Sequence, residues 1–294
     1  GIEKVIYSEN GGDWQKLDGY TLTASDGINT YRFKAISVSG VTSETITVIT
    51  KTELTAPILT ADIDGIVTDW TNEKVTFALS STNINSGVTY FVNYGDGFKA
   101  LKGSTITIKD NGIYDIEVKA VNTAGSESNV LSYTVKIDKD KPTITATANT
   151  TDWTNTAPII TVSTFANSGI AETLYSENGG EWQVLDGDTL TAKDGINTYR
   201  FKAISVSGMV SEIISVTTKA EILAPVLTAE IDGVTTDWTN GNVSFALSAE
   251  NINSGVTYYV NYGGEWTALS KNTFTIKDNG IYDIEVKAVN TAGS

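Results

Sequence analysis

Apolar and polar residues alternate along most of the chain, and the alternation is clearest between residues 56 and 137. There Val75, Phe77 and Leu79 alternate with polar neighbours, and the stretch from Tyr114 to Ala120 follows the same rule. An alternation of period two with one apolar side is typical of an antiparallel strand that is buried on one face. The pattern predicts strands at about 58–62, 74–80, 88–94, 98–101, 105–109, 113–122 and 130–137.

Long stretches of the sequence recur at a spacing of 168 residues. TDWTN starts at Thr68 and again at Thr236, with a further copy at Thr151, roughly halfway between them. GINTYRFKAISVSG starts at Gly27 and again at Gly195, at the same spacing. Self-similarity at a fixed period indicates a tandem array. Each 168-residue period therefore holds two related segments of about 84 residues, type A and type B.

The repeats divide the chain into four segments. Residues 1–50 form the C-terminal half of a type A segment, and residues 142–218 form a complete one. Residues 56–137 form a complete type B segment, and residues 224–294 form one that lacks its final strand. We therefore interpret the chain as a window on a longer array, or as a subunit whose half-segments are completed by strands of a neighbour.

Short strands at this spacing favour an all-β fold of tandem immunoglobulin-like β-sandwiches arranged as an elongated rod. The type B sequence DNGIY places a tyrosine, Tyr114, in the D-x-G-x-Y pattern of a tyrosine corner. Type A has Asn29 and Asn197 at that position, and Tyr31 and Tyr199 two residues later on the same face. The ring is therefore predicted to have moved along the strand in type A.

The stretch YSENGGDWQ at 7–15 returns as YSENGGEWQ 168 residues later. Asn-Gly between apolar runs predicts a hairpin with a type I′ turn, because both central residues of that turn need a positive φ. Type B is predicted to keep this geometry with NYGDGF and NYGGEW. Trp14 and Trp182 are interpreted as packing residues beside the turn, and a sugar-stacking platform is the functional alternative.

These motifs resemble the tandem bacterial immunoglobulin-like and fibronectin-III-like repeat modules of large cell-surface proteins. The similar features are the YS-x-N-GG-x-W hairpin and the following DG-x-x-x-Y-x-x-x-KA strand, and together they cover essentially the whole chain. The resemblance implies a β-sandwich fold in an extracellular setting on the bacterial cell surface. It says little about activity, because a fold hosts many functions.

Composition narrows the classes of function. The formal net charge is −15, which disfavours binding to nucleic acid or to an anionic bilayer. The chain has no cysteine and no histidine, so disulfides, thiolate nucleophiles and histidine-based proton transfer are excluded. No apolar run is long enough to span a membrane. No nucleotide-binding or hydrolase motif is present, and we expect neither an enzyme nor a bound cofactor.

Calcium is the one metal that the acidic composition suggests, since this ion binds clustered carboxylate and carbonyl oxygens. The candidate ligands are the loop carboxylates Asp62, Asp64 and Asp69 and the junction carboxylates Asp138 and Asp140. A solvated loop is the simpler interpretation of the first set, because type A keeps only Asp152 there. Calcium at the junction is disfavoured because the other junctions, KTELTAP and KAEILAP, have a single glutamate each and lysines flank the aspartate pair.

The sequence thus favours a structural repeat segment of a bacterial surface protein, filament or surface layer, acting as a stalk or a self-assembling subunit. Its expected partners are further segments of a longer chain or other copies of the chain. The alternative is an adhesin or a carbohydrate-binding accessory region that contacts cell-wall or host glycan through exposed aromatic residues.

Overall fold

A computed structural model describes residues 1–294, and every regular element in it is a β-strand. The chain divides into two compact units, Gly1–Lys139 and Asp140–Ser294. It contains no helix with the length and apolar character needed to cross a bilayer.

The first unit contains segments 1–50 and 56–137. Segment 1–50 forms strands β1 (Ile2–Glu9), β2 (Gln15–Lys16), β3 (Gly27–Ser37) and β4 (Ile46–Thr52). Segment 56–137 forms β5 (Ile58–Asp64), β6 (Trp70–Thr71), β7 (Val75–Thr82), β8 (Val88–Asn93), β9 (Lys99–Ala100), β10 (Thr105–Ile108), β11 (Gly112–Asn122) and β12 (Leu131–Ile137).

The second unit contains segments 142–218 and 224–294. Segment 142–218 forms β13 (Thr143–Ala148), β14 (Ile159–Phe165), β15 (Ile170–Glu177), β16 (Gln183–Val184), β17 (Thr189–Thr191), β18 (Gly195–Ser205) and β19 (Ile214–Ala220). Segment 224–294 forms β20 (Val226–Asp232), β21 (Val243–Glu250), β22 (Val256–Asn261), β23 (Thr267–Ala268), β24 (Thr273–Ile276) and β25 (Glu285–Asn290).

Segment 56–137 is a two-sheet sandwich. One sheet has the order β10-β7-β5, and the other has the order β6-β12-β11-β8-β9. All pairs are antiparallel except β6 with β12, which run parallel. The apolar side chains of both sheets meet in one core, where the rings of Phe77 and Tyr133 lie 5.1 Å apart. Without the two-residue strands β6 and β9, the first, second and fourth strands of the segment share one sheet and the rest form the other, which is the immunoglobulin arrangement.

Segment 142–218 repeats this arrangement with the sheets β13-β14-β17 and β16-β15-β18-β19. Its core contains Ile160 and Val162 from the first sheet and Tyr199 and Phe201 from the second. These four side chains occupy alternate positions on their strands, so the period-two pattern of the sequence places them on the inner faces. The predicted all-β sandwich fold is confirmed.

A polar network closes the loop before the long strand of each sandwich. The hydroxyl of Tyr114 donates to the carbonyls of Asp110 at 3.3 Å and Asn111 at 3.2 Å, which confirms the predicted tyrosine corner. Gly112 allows the ring to lie flat on the strand, because a Cβ there would come within 3.2 Å of the ring and its φ is +148°.

In the type A segments an asparagine and a tyrosine both form hydrogen bonds to the loop before the long strand. Asn29 Nδ2 donates to the carbonyls of Ser25 at 2.9 Å and Asp26 at 3.1 Å, the positions that the type B tyrosine reaches. The ring two residues later bonds the same loop, since Tyr31 Oη accepts the main-chain N–H of Ser25 at 2.8 Å and Tyr199 Oη that of Lys193 at 2.9 Å. The predicted displacement of the ring is confirmed.

Candidate functional site: a carboxylate clasp between successive segments

Two carboxylates of each type A segment and its linker accept hydrogen bonds from a loop of the following type B segment. Asp26 lies in the loop before β3, and Glu53 follows β4 directly. Glu53 Oε1 accepts the main-chain N–H of Asn85 at 2.9 Å, and its Oε2 accepts the hydroxyl of Ser86. Asp26 accepts the main-chain N–H of Leu54 at 2.7 Å and the side-chain amide of Asn85 at 3.1 Å. We name Asp26, Glu53, Asn85 and Ser86 the junction clasp.

The second unit contains the same clasp at positions 168 residues further on. Glu221 Oε1 accepts the main-chain N–H of Asn253 at 2.7 Å, and its Oε2 accepts the hydroxyl of Ser254. Asp194 accepts the main-chain N–H of Ile222 at 2.6 Å and the side-chain amide of Asn253 at 2.7 Å. The arrangement therefore occurs twice, with the same atoms in the same roles.

The clasp buries its glutamates without a cationic partner. Glu53 is 9% exposed and Glu221 is 0% exposed, and neither forms an ion pair with lysine or arginine. Neutral N–H and O–H donors compensate the charge, as they do for carboxylates at helix N-caps. The hydrogen bond from Ser86 lowers the pKa of Glu53, and the N–H of Asn85 adds to this, against the opposing effects of burial and of Asp26.

Both glutamates are thus fixed acceptors between two segments. A carboxylate whose oxygens are occupied by donors is poorly placed to bind a substrate or to transfer a proton. The geometry instead fixes the approach of the two segments, because each glutamate holds two donors of one short loop. The sequence reasoning missed this role, although KTELTAP and KAEILAP place Glu53 and Glu221 at equivalent junctions.

The structure does not bring the five predicted calcium ligands together. Asp62 and Asp64 are exposed on β5, and Asp69 Oδ1 accepts the main-chain N–H of its own neighbour, Trp70, at 2.7 Å. Asp138 is 1% exposed, whereas Asp140 is exposed. Across the chain, no three metal-ligating side chains are grouped so that they could hold an ion. Calcium binding at these residues stays a prediction.

The repeated YSENGG turn has the predicted type I′ geometry. Asn10 has a φ of +52° and Gly11 one of +78°, and the N–H of Gly12 donates to the carbonyl of Glu9 at 2.9 Å. The same asparagine also reaches across the sheet, since its Nδ2 donates to Asn29 Oδ1 at 2.8 Å. The repeated stretch is therefore a turn fixed to the long neighbouring strand.

The prediction that type B keeps this turn geometry is wrong. Asn93 has no positive φ, and its side-chain oxygen instead accepts the N–H groups of Gly95 and Gly97, each at 2.8 Å. The positive φ values fall on Gly95 and Gly97 here, and on Gly263 in the second type B copy, because glycine adopts this conformation without strain.

The tryptophan beside each type A turn lies outside the core. Trp14 is 40% exposed, and Lys34 Nζ lies 4.5 Å from the centre of its ring. Trp182 and Lys202 repeat the contact at 4.4 Å. A cation over an aromatic ring is attracted by the negative face of the ring. The predicted packing beside the turn is therefore packing on the outward face of a sheet and not in the core.

No protein-family model and no curated protein sequence matches the chain. Among solved structures, the fibronectin(III)-like modules of Clostridium thermocellum CbhA are 20% identical, with 55% of this chain and 95% of that chain covered and a TM-score of 0.29. A tetra-tandem repeat in the extending region of a large adhesion protein is 15% identical, with coverages of 99% and 88% and a TM-score of 0.37. The D00-D0 domain of intimin is 13% identical, with coverages of 54% and 98% and a TM-score of 0.28.

These low scores carry no weight in assigning the fold, which rests on strand order and on the two facing sheets. The order is the same in segments 56–137 and 142–218, apart from the short edge strands. The chain is a tandem array of immunoglobulin-like β-sandwiches.

Proposed function

We propose that the chain is a structural repeat segment of a bacterial surface protein, in which type A and type B sandwiches alternate as a spacer with fixed joints. The observation that carries the proposal is the junction clasp, which occurs twice with the same donors and acceptors. A connection of few residues would otherwise let neighbouring domains reorient, as is usual for small and polar interdomain contacts. A fixed joint suits a stalk, a filament or a surface layer.

In this proposal the four segments have the bounds given by the sequence repeats. The acidic charge of −15 keeps parallel copies apart on a crowded extracellular surface. Each sandwich resists extension through its hydrogen-bonded strand pairs. No catalytic step is assigned to any residue.

Distance measurements across one joint test the proposal. The chain has no native cysteine, so Ser39→Cys and Lys102→Cys provide two labelling positions, one in each segment of the first unit. We expect a single narrow distance distribution by fluorescence or electron spin resonance at neutral pH. The distribution should broaden in Glu53→Ala and stay narrow in Glu44→Ala, a control at an exposed glutamate of the same segment. A broad distribution in the otherwise unmodified chain would contradict a spacer with fixed joints.

A further inference from the structure

The outward face of the first sheet carries a cluster of cations in an otherwise acidic chain. On β1, β2, β3 and β4, the cations at outward positions are Lys4, Lys16, Arg32, Lys34 and Lys51. Their shared orientation follows from register, since Ile6 lies opposite both Lys34 and Lys16, and residues two apart on a strand point the same way. We name these five cations the basic face.

Apart from Glu3, which lies in the β-bulge beside Lys4, no carboxylate falls at an outward position of the four strands that carry the basic face. None of its five cations forms an ion pair, whereas Lys99, Lys119, Lys141 and Lys193 elsewhere do. Unpaired cations grouped on one surface of a protein of charge −15 create a local positive potential that the net charge conceals.

An aromatic ring lies against one of these cations. Trp14 contacts Lys34 through its ring and is 40% exposed. Its exposed part offers an apolar surface beside the ammonium groups. Strands in a sheet are about 4.8 Å apart, so the four strands spread the cations over a width of about 14 Å. An extended ligand with both anionic and apolar groups matches this surface better than a small ion.

We infer that the basic face binds an anionic polysaccharide, with its carboxylate or other acidic groups on the lysines and one sugar ring beside Trp14. Polysaccharide fits better than nucleic acid. Duplex DNA carries one charge per about 1.7 Å of axis, so the net charge of −15 repels it strongly. A polymer with one acid group per sugar, or per two sugars, is repelled less and matches dispersed cations. The inference does not rest on the proposed spacer role, because this face lies outside the junction clasp.

The equivalent face of the second unit is a natural comparison. The second face retains Arg200, Lys202, Lys219 and Trp182. Glu172 stands where the first copy has Lys4, and Val184 stands where it has Lys16. The second face therefore has three cations and one carboxylate. We expect it to bind the same polymer much more weakly.

Exchange of these residues between the two copies tests the inference in the full chain. The probe is polyglucuronate, measured by calorimetry at low salt, and the expected stoichiometry is one site per chain. Lys4→Glu with Lys16→Val gives the first face the residues that the second copy carries at these two positions, and we expect at least about a tenfold loss of affinity. Lys74→Glu with Lys102→Val changes the net charge equally at exposed positions elsewhere and should leave the affinity within about twofold.

The reverse exchange, Glu172→Lys with Val184→Lys, should create a second site and raise the stoichiometry to two. Trp14→Ala should weaken binding without altering the thermal unfolding midpoint, because the ring is outside the core. Three results would overturn the inference. The first is no binding of polyglucuronate, and the second is a loss of affinity in the Lys74/Lys102 control equal to that in the Lys4/Lys16 variant. The third is tighter binding of duplex DNA than of polyglucuronate at the same salt concentration.

Discussion

Glu221 accepts a hydrogen bond from the main-chain N–H of Asn253 at 2.7 Å, although the two residues lie 32 positions apart and in successive sandwiches. Glu53 and Asn85 repeat the bond at 2.9 Å across the same sequence separation. Each type A segment is thus followed by a glutamate whose carboxylate accepts donors of the next type B segment. The relationship makes the junction part of the folded structure.

Replacement of Glu221 by alanine should destabilise the second unit. The N–H of Asn253 and the hydroxyl of Ser254 would lose their acceptor, and a donor left unsatisfied in a buried place costs about 1–3 kcal/mol. Chemical denaturation followed by tryptophan fluorescence measures the change. Glu250→Ala is the control, because that glutamate is exposed on the neighbouring strand β21. An equal effect of both substitutions would show that the loss does not come from the clasp.

The stability of the first joint should depend on pH. The folded structure lowers the pKa of Glu53 below its ordinary value of 4.5, chiefly through the hydrogen bond from Ser86. A lowered folded pKa means that the stabilisation is fully present above the unfolded pKa and is lost as the pH falls through the folded value. The joint should therefore loosen only below about pH 4.5.

Distance distributions between labels at positions 39 and 102 report this transition as the pH is lowered. Glu53→Gln should show part of the loosening already at pH 7 and little further change with acid. Circular dichroism on the same samples separates joint opening from unfolding of the sandwiches. A distance distribution that stays narrow at pH 3.5 while the strands remain folded would contradict the prediction but leave the spacer role intact.

The strands and the two-sheet architecture could be predicted because they depend on local alternation and on turn residues. Tyr114 was identified as a corner residue from three positions of sequence, and the structure confirms it. The junction clasp could not be predicted in the same way. Its donors lie more than thirty residues from its acceptors, and a single glutamate in a short linker looks solvated when only the linker is considered.

The basic face was missed for a related reason. Its cations come from four strands and are separated by up to 47 positions, so the sequence shows only an acidic chain with scattered lysines. Register brings them to one surface, and register is a property of the paired sheet. The tryptophans were assigned to packing because tryptophan is usually buried in a small sandwich, whereas here a lysine covers the ring on the outward face.

Removal of the Tyr199 hydroxyl should destabilise segment 142–218. Its oxygen accepts the main-chain N–H of Lys193 at 2.9 Å, and the ring is fully buried in the core. Tyr199→Phe keeps the ring and loses the acceptor, so we expect a cost of about 1 kcal/mol in the free energy of unfolding. Tyr175→Phe is the control, because that hydroxyl bonds Gln183 Oε1 at the surface and should matter little. Thermal unfolding that is unchanged in Tyr199→Phe would show that the loop does not need this acceptor.

The asparagine of the repeated turn should stabilise the fold through its side-chain hydrogen bonds and through its tolerance of a positive φ. Asn178 has a φ of +50°, and it bonds Asn197 Oδ1 at 2.9 Å and the N–H of Thr198 at 2.8 Å. Both Asn178→Gly and Asn178→Ala remove the side-chain bonds, but only alanine keeps a Cβ in the left-handed region, where a side chain costs about 1–2 kcal/mol relative to glycine. The alanine variant should therefore unfold at a lower denaturant concentration than the glycine variant. Equal midpoints would show that the turn relaxes out of its left-handed conformation.

Calcium titration tests the carboxylates that the sequence proposes as ligands. Calcium binds six to eight oxygens, and the exposed pair Asp62 and Asp64 on β5 supplies only part of such a shell. If the ion binds there, millimolar calcium should raise the thermal midpoint of the first unit, because a ligand stabilises the state that binds it. Asp62→Asn with Asp64→Asn should abolish that rise, while Asp115→Asn on β11 should preserve it. An unchanged midpoint with calcium and with a chelator would leave these side chains as solvated carboxylates on the sheet surface.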